Sequence, residues 1–261
     1  VHDAGQFCFN QIVPGYFSRI NDNGVYSNGS CCGNDTATER SMVRKYIVDS
    51  VKYWADEYHI DGFRFDLVGL IDTETINQIV DEVHETHPDV LFYGEGWTME
   101  TTVTKPGYTM ATQLNSTETP GFAYFSDTIR DALRGSVFEA TQPGFMVGAT
   151  GKDERIAKCL QAISEAEVDG SIVIWSTNPS QTVNYASCHD NHTLKDRINN
   201  TAPNASEADR IKMNNMAAVT YMTSQGIPFI HAGEEILRTK VHEDGTVEHN
   251  SYNSNDYVNM L

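Results

Sequence analysis

Short apolar runs that break off at an acidic residue recur along this 261-residue chain. The runs IDGFRFD, VLFYGE and NYASCHD end at Asp66, Glu95 and Asp190, and segments with helical spacing lie between them. Strands as apolar as these are typical of a parallel sheet whose two faces are covered by helices. The sequence therefore predicts an α/β fold, either a doubly wound sheet or a barrel.

The position of the acidic residues favours the barrel. Barrel enzymes place their chemistry at the carboxyl ends of many strands, where loops meet on one face. A dinucleotide-binding sheet would instead carry a GxGxxG fingerprint after a strand, and GEGWTM lacks the third glycine. We therefore predict a (β/α)-barrel with its site at the carboxyl ends of the strands.

Apolar spacing and capping residues predict where several elements begin. The predicted helices are one from about Thr38 to Trp54 with Thr38 as N-cap, one capped by Asp72 or Thr73, one over 127–134, and one from Ser206 to Ser224 with a Ser206/Asp209 capping box. The predicted strands begin near Val183 and at Ile227. The stretch between 134 and 183 shows weak periodicity.

The residues around the first two acids predict different roles for them. Alternation along a strand places Arg64 and Asp66 on one face, where the guanidinium favours the ionised carboxylate that a nucleophile requires. Glu95 shares a face with Tyr93 and Trp97, and desolvation there would raise its pKa and let it donate a proton. An attacking carboxylate and a protonated carboxyl are the pair that cleaves an acetal bond between sugars. The alternative is a structural Arg64–Asp66 ion pair beside a glutamate that merely ends a strand.

Charge and cysteine content limit the partners of the chain. Asp plus Glu number 36 against 18 Lys plus Arg, and the net charge of −18 would repel nucleic acid but not a neutral glucan. Five cysteines without a CxxC pair indicate neither a disulfide framework nor a zinc site, and they lean towards a reducing, cytoplasmic compartment while leaving secretion open. No apolar run reaches the ~18 residues of a membrane span, so we predict no membrane partner.

Several motifs resemble one family. DGFRFD, GEGW and SCHDNHTL resemble conserved regions of the α-amylase superfamily of glycoside hydrolases, and the last two take the form typical of type I pullulanases. The resemblance implies retaining, debranching hydrolysis of α-1,6-glucosidic links in pullulan and branched α-glucans. It implies that Asp66 is the nucleophile, Glu95 the general acid/base and Asp190 a third, transition-state-stabilising acid. It also implies that Arg64 and His189 hold the sugar and that Trp97 offers a stacking face.

The resemblance covers only part of the family pattern. A first conserved region, the first three barrel strands, the amino-terminal modules and the carboxyl-terminal β-domain have no counterpart in residues 1–261. We therefore expect an incomplete TIM (β/α)8 barrel, roughly strands 4 to 8 with their helices, from an active parent protein, and we expect the fragment alone to be inactive. An α-1,4-acting amylase or transglycosylase and a non-catalytic glucan-binding module remain as alternatives.

The reaction implied by the resemblance needs no cofactor. His189, Asp190 and His192 lie close in sequence, but no HExxH or CxxC spacing indicates a transition metal, and we predict no catalytic metal. Asp and Asn oxygens are plentiful enough for a structural calcium ion, as in many relatives of the family, although no EF-hand loop is present.

Overall fold

The structure is a computed structural model that describes residues 5–99, 107–254 and 257–261. The chain divides into two compact units, a first unit (Val1–Phe125) and a second unit (Ser126–Leu261). The helices α1 to α7 are Cys8–Ile12, Ser41–Tyr58, Thr73–His84, Asp127–Arg134, Asp153–Cys159, Leu194–Thr201 and Glu207–Thr223. The strands β1 to β7 are Gly62–Phe65, Leu91–Gly94, Ala123–Phe125, Ser164–Val168, Ser171–Ser176, Thr182–Asn184 and Ile227–Pro228. Short 3-10 turns include Val68–Leu70 and Glu234–Ile236.

The first unit contains three parallel strands. β1 pairs with β2 from Gly62↔Leu91 to Phe65↔Gly94, and β2 pairs with β3. Helix α3 connects β1 to β2, so the three form the βαβ unit that the alternating pattern predicts. The aromatic rings of neighbouring strands pack together, as in the stacked pair Phe63 and Phe92 with centroids 5.8 Å apart.

The predicted cap of α3 is confirmed, but the predicted start of α2 is wrong. The Asp72 carboxylate accepts a hydrogen bond from the Thr75 N–H at 2.9 Å, as an N-cap does. Helix α2 begins at Ser41, three residues after the predicted cap. The hydroxyl of Thr38 donates instead to Asp72 Oδ2 at 2.6 Å, so a tertiary contact takes the side chain that would have capped the helix.

The buried face of α2 also differs from the prediction at its carboxyl end. In the sequence, Val43, Ile47, Val51 and Trp54 recur at helical spacing and predict one buried face. Val43 and Val51 are buried, whereas Trp54 is 42% exposed and Ala55 is buried. Burial therefore follows Val48, Val51 and Ala55, spaced three and four residues apart, which is one face of a helix.

The second unit contains the parallel pair β6 and β7, which are connected through α6 and α7. Val183 pairs with Ile227 and Asn184 with Pro228, so both strands begin where the sequence predicts. Helix α4 has the predicted bounds, and α7 begins after Ser206, whose hydroxyl accepts the Asp209 N–H at 3.2 Å. The apolar faces of α4, α6 and α7 meet in one buried cluster of side chains that includes Ile129, Leu133, Ile198, Ala217 and Tyr221.

The stretch of weak periodicity folds as α5 and an antiparallel hairpin of β4 and β5. Asp169 and Gly170 form its turn with φ values of 50° and 75°. Positive φ at both residues is the geometry of the tight hairpin turn that Asp-Gly favours, so the dipeptide was the sequence signal for this hairpin.

Among the described residues, no helix is both long and apolar enough to cross a bilayer. Within the same part of the chain, the cysteines form no disulfide bond.

Candidate active site

Arg64 and Asp66 lie at the carboxyl end of β1 and contact each other. Asp66 directly follows the strand, and its Oδ1 lies 2.5 Å from Arg64 Nη1, which confirms that the two side chains share a face. The Asp66 side chain is 73% exposed, whereas that of Arg64 is one-quarter exposed. The Asp66 carboxylate is therefore accessible from solvent while a guanidinium fixes one of its oxygens.

Glu95 occupies the equivalent position after β2 and is buried. Its side chain is 8% exposed, and its Oε1 lies 2.7 Å from Nη2 of the same Arg64. Its Oε2 accepts the N–H of Leu67 at 3.2 Å. One guanidinium therefore bridges the two carboxylates predicted to act as nucleophile and acid, and the structure brings all three side chains together.

The buried carboxylate of Glu95 has polar neighbours that the sequence did not predict, and its role as the proton donor stays a prediction. Its carboxylate contacts the Arg64 guanidinium and the Leu67 N–H, so polar donors lie against it. The reason is the register of the strands: Phe65 pairs with Gly94, so Glu95 lies beside Asp66 and the β1 cation reaches it. Asp66 and Glu95 share the contact with Arg64 and differ in exposure, with side chains 73% and 8% exposed.

Hydrogen bonds join the two backbone segments that carry Asp66 and Glu95. The Glu95 N–H donates to Phe65 O at 3.2 Å, and the Gly69 N–H donates to Glu95 O at 3.3 Å. Leu67, between them, adopts a left-handed conformation with φ of 42°, and its N–H donates to the Glu95 carboxylate. A leucine in this region is strained by about 1 kcal/mol or more, and such strain concentrates at functional sites.

Trp97 follows Glu95 and is half-buried. Its main chain packs closely on Gly69, where an added Cβ would lie 2.0 Å from the Trp97 carbonyl oxygen. Gly69 is thus required for the close approach of the segments that follow β1 and β2. The stacking role of Trp97 stays a prediction.

Asp190 and His189 lie in the second unit, in the loop between β6 and α6. The sequence prediction that Asp190 ends a strand is wrong in position, since β6 ends at Asn184, six residues earlier. His189 Nε2 lies 3.5 Å from Asp190 Oδ1, with the two side chains 59% and 40% exposed. Because the residues lie in a turn and not on a strand, adjacent side chains point the same way.

The sequence analysis missed two buried cations beneath this loop. Nζ of Lys240 donates to the carbonyls of His189 and Asn191 at 2.7 and 2.9 Å. Arg134, the last residue of α4, donates to the carbonyl of His192 at 2.9 Å. Nothing in the local pattern marks either residue as buried, because lysine and arginine near a helix end or in a loop are ordinarily solvated.

A cleft of about 360 Å³ adjoins this loop. Its lining includes His189, His231, Arg238, Lys240 and Tyr252. Burial, together with the charges of Arg238 and Lys240, lowers the pKa of His231 to about 4. The imidazole of His231 is therefore neutral near pH 7 and can accept a hydrogen bond from a sugar hydroxyl.

Within residues 5–99, 107–254 and 257–261, no three His, Cys, Asp or Glu side chains are grouped so as to hold a metal ion.

The chain was compared with known proteins. Residues 30–259 match the model of the α-amylase catalytic domain. The pullulanase of Bacillus subtilis (strain 168) is 37% identical over 97% of this chain and 34% of its own length. Pullulanase 1, chloroplastic, of Arabidopsis thaliana is 34% identical over 100% of this chain and 31% of its own length. The chain therefore belongs to the α-amylase family of glycoside hydrolases.

Solved structures narrow the similarity to pullulanases. The crystal structure of apo pullulanase from Paenibacillus barengoltzii superposes on 97% of this chain with a TM-score of 0.87 and 42% identity, and the match covers 37% of that protein. The pullulanase from Anoxybacillus sp. LM18-11, solved in complex with maltotetraose, has a TM-score of 0.84 and 40% identity, and 34% of it is covered. The predicted incomplete (β/α)8 barrel is confirmed, and the chain spans about a third of the length of these relatives.

Proposed function

We propose that this chain supplies the central catalytic groups of a retaining glycoside hydrolase that cleaves α-1,6-glucosidic links in pullulan and branched α-glucans. The observation that carries the proposal is the Arg64 bridge between Asp66 and Glu95. Similarity to pullulanases over 97% of the chain supports the choice of bond, and the relative solved with maltotetraose supports an α-glucan substrate.

The bridge supports retention of configuration. Two carboxylates that bind the two terminal nitrogens of one guanidinium lie close together, and retaining enzymes hold their acids about 5 to 5.5 Å apart, whereas inverting enzymes need about 6.5 to 9.5 Å. We expect the carboxyl groups of Asp66 and Glu95 to lie at the shorter of these separations, with the glycosyl-enzyme intermediate formed on Asp66.

The roles of the two acids follow from their exposure. Asp66, open to solvent, attacks the anomeric carbon and forms the glycosyl-enzyme while the bond to the leaving oxygen breaks. Glu95, buried beside it, gives that oxygen a proton and then takes a proton from the water that hydrolyses the intermediate. Asp190 and His189 contact sugar hydroxyls of the substrate. The reaction draws on side chains alone and requires no cofactor, and a neutral glucan suits a chain of net charge −18.

Product analysis on pullulan tests the bond that is cleaved. The complete natural protein that contains this sequence is expected to release maltotriose, with the new reducing end in the α-configuration by NMR. Panose or isopanose would replace the proposal with α-1,4 cleavage, and glucan binding without any product would indicate a non-catalytic module. Assaying the 261-residue chain alone tests whether these residues suffice.

Activated substrates separate the two catalytic roles. We expect Asp66→Asn to abolish turnover of both pullulan and α-maltosyl fluoride, because both need the nucleophile. Glu95→Gln should abolish turnover of pullulan but still react with α-maltosyl fluoride, since fluoride leaves without a strong acid. Asp49→Asn, at an exposed surface ion pair of α2, is the matched control and should keep wild-type rates. Wild-type pullulan hydrolysis by either site variant would remove the role assigned to that residue.

A further inference from the structure

The loop that carries His189 and Asp190 is anchored through its main chain by a buried lysine. Lys240 is 1% exposed, and its ammonium donates to the carbonyl oxygens on either side of Asp190, those of His189 and Asn191. Its backbone N–H donates to Asp196 Oδ2 at 2.8 Å, so the lysine is itself fixed to α6. Asp190 is therefore held between two carbonyls that share one cation.

A second buried cation holds the ends of the same loop. Arg134 is 1% exposed and donates to the carbonyl of Ala186 at 3.2 Å and to that of His192 at 2.9 Å. Between the two anchored ends, Asn191 adopts a left-handed conformation with φ of 63° and turns the chain. Two cations thus bind four carbonyls spread over seven residues of the loop.

The energetics of these contacts indicate more than a stabilising role. Desolvation is the largest influence on both cations, and it lowers the pKa of Lys240 below its ordinary value and that of Arg134 to about 10. Burying a charge is costly, and removing either cation would leave buried carbonyl oxygens without their donors. The attraction between the Lys240 ammonium and Asp190 gives the buried charge a partner at the candidate site.

We propose that Lys240 is a positioning residue that fixes the main chain on both sides of Asp190 and places a positive charge beneath it. This inference rests on the proposed function for the role of Asp190. In that role the Asp190 carboxylate must hold one orientation towards the sugar as positive charge develops in the transition state. Lys240 acts through Asp190 and does not touch the reacting atoms.

Lys240→Met, in the complete natural protein, removes the charge and the side-chain donors while keeping most of the length of the side chain. Lys212→Met is the matched control, because Lys212 is an exposed lysine of α7 in the same unit with a side chain 76% exposed. Hydrogen exchange followed by mass spectrometry reports the loop directly, without reference to activity. We expect faster exchange in 186–192 for Lys240→Met and unchanged exchange there for Lys212→Met.

Kinetics then connect the loop to the reaction. We expect Lys240→Met to lower kcat on pullulan by about 30-fold or more with KM within about threefold of wild type, the signature of an interaction made in the transition state. The variant should bind a cationic iminosugar derivative of maltotriose at least about tenfold more weakly while binding maltotriose itself normally. If the Met variant does not fold, Lys240→Gln takes its place with the same expectations.

Two results would overturn the inference. Unchanged exchange in 186–192 would show that the lysine does not hold the loop, whatever the protein hydrolyses. Wild-type kcat in a folded variant with a loosened loop would show that the position of Asp190 does not depend on Lys240 in any way that matters to catalysis. A wild-type protein that leaves pullulan intact would instead contradict the proposed function, which is a different outcome.

Discussion

Replacing Arg64 by lysine tests whether activity requires a guanidinium that contacts both carboxylates at once. Arg64 contacts Asp66 through Nη1 and Glu95 through Nη2, and a single ammonium cannot take both positions. We therefore expect Arg64→Lys to fold and to lose most of its activity, because one of the two acids is no longer held in place.

The expected loss of kcat/KM depends on which of the two Arg64 contacts is lost. The contact to Asp66 is largely exposed, and solvent screening limits it to about 1 kcal/mol or less. The contact to the buried Glu95 is a charge-assisted hydrogen bond worth about 1.5 to 3 kcal/mol. Loss of the buried contact in the transition state would lower kcat/KM by about 10- to 150-fold, since each 1.36 kcal/mol is a factor of ten.

A matched control lies in the same unit. Arg44 also bridges two carboxylates, Asp72 at 3.0 Å and Glu74 at 2.5 Å, and neither is a candidate site residue. Reducing-sugar release from pullulan and urea unfolding are measured for Arg64→Lys and Arg44→Lys side by side. We expect Arg44→Lys to lose about 1 to 2 kcal/mol of stability while its kcat/KM stays within about twofold of wild type.

The reasoning would be refuted by either of two results. If Arg64→Lys keeps kcat/KM within about twofold of wild type, the bridge does not contribute to catalysis. If Arg44→Lys loses as much activity as Arg64→Lys, the loss reflects the stability of the unit and not the site.

Three further outcomes follow from single residues. Gly69→Ala should lower the free energy of unfolding by about 1 to 3 kcal/mol in urea, because its Cβ would lie 2.0 Å from the Trp97 carbonyl oxygen; unchanged stability would contradict this close approach. Burial, followed by the charge of His249, lowers the pKa of His192 to about 4, so protonation of His192 opposes folding. The contribution of His192 to the free energy of unfolding should be complete above about pH 6.5 and should fall by roughly 1 to 3 kcal/mol towards pH 4. The variant His192→Gln should show a smaller fall. Burial raises the pKa of the Cys159 thiol to about 12, so iodoacetamide at pH 8 should label the exposed Cys31 and leave Cys159 unmodified until the protein unfolds, as peptide mass spectrometry would show.

Local chemistry explains the parts of the fold that the sequence could predict. The caps at Asp72 and Ser206 depend on hydrogen bonds to backbone groups three residues away, so the sequence contains both partners. The side-by-side position of Arg64 and Asp66 depends only on strand alternation, and it was predicted for the same reason.

Contacts between distant segments explain the parts that it could not. The surroundings of Glu95 are set by the register of β1 against β2, which no pattern within VLFYGEGW contains. Helix α2 begins later than predicted because the Thr38 hydroxyl donates to the carboxylate of Asp72, 34 residues away. The cation beneath Asp190 comes from a residue 50 positions further along the chain, so a reading of SCHDNHTL alone could not find it.

Lys240 and Arg134 donate hydrogen bonds to main-chain carbonyl oxygens, which every residue has whatever its side chain. Exchanging an exposed side chain within 186–192 therefore changes the surface of the loop without removing the oxygens through which it is bound. A library randomised at the exposed positions of this loop should retain folded members at a higher rate than one randomised at the two cations. The contacts that fix the loop are therefore separate from the exposed side chains that it presents. Variants with a changed sugar preference could be selected without altering those contacts.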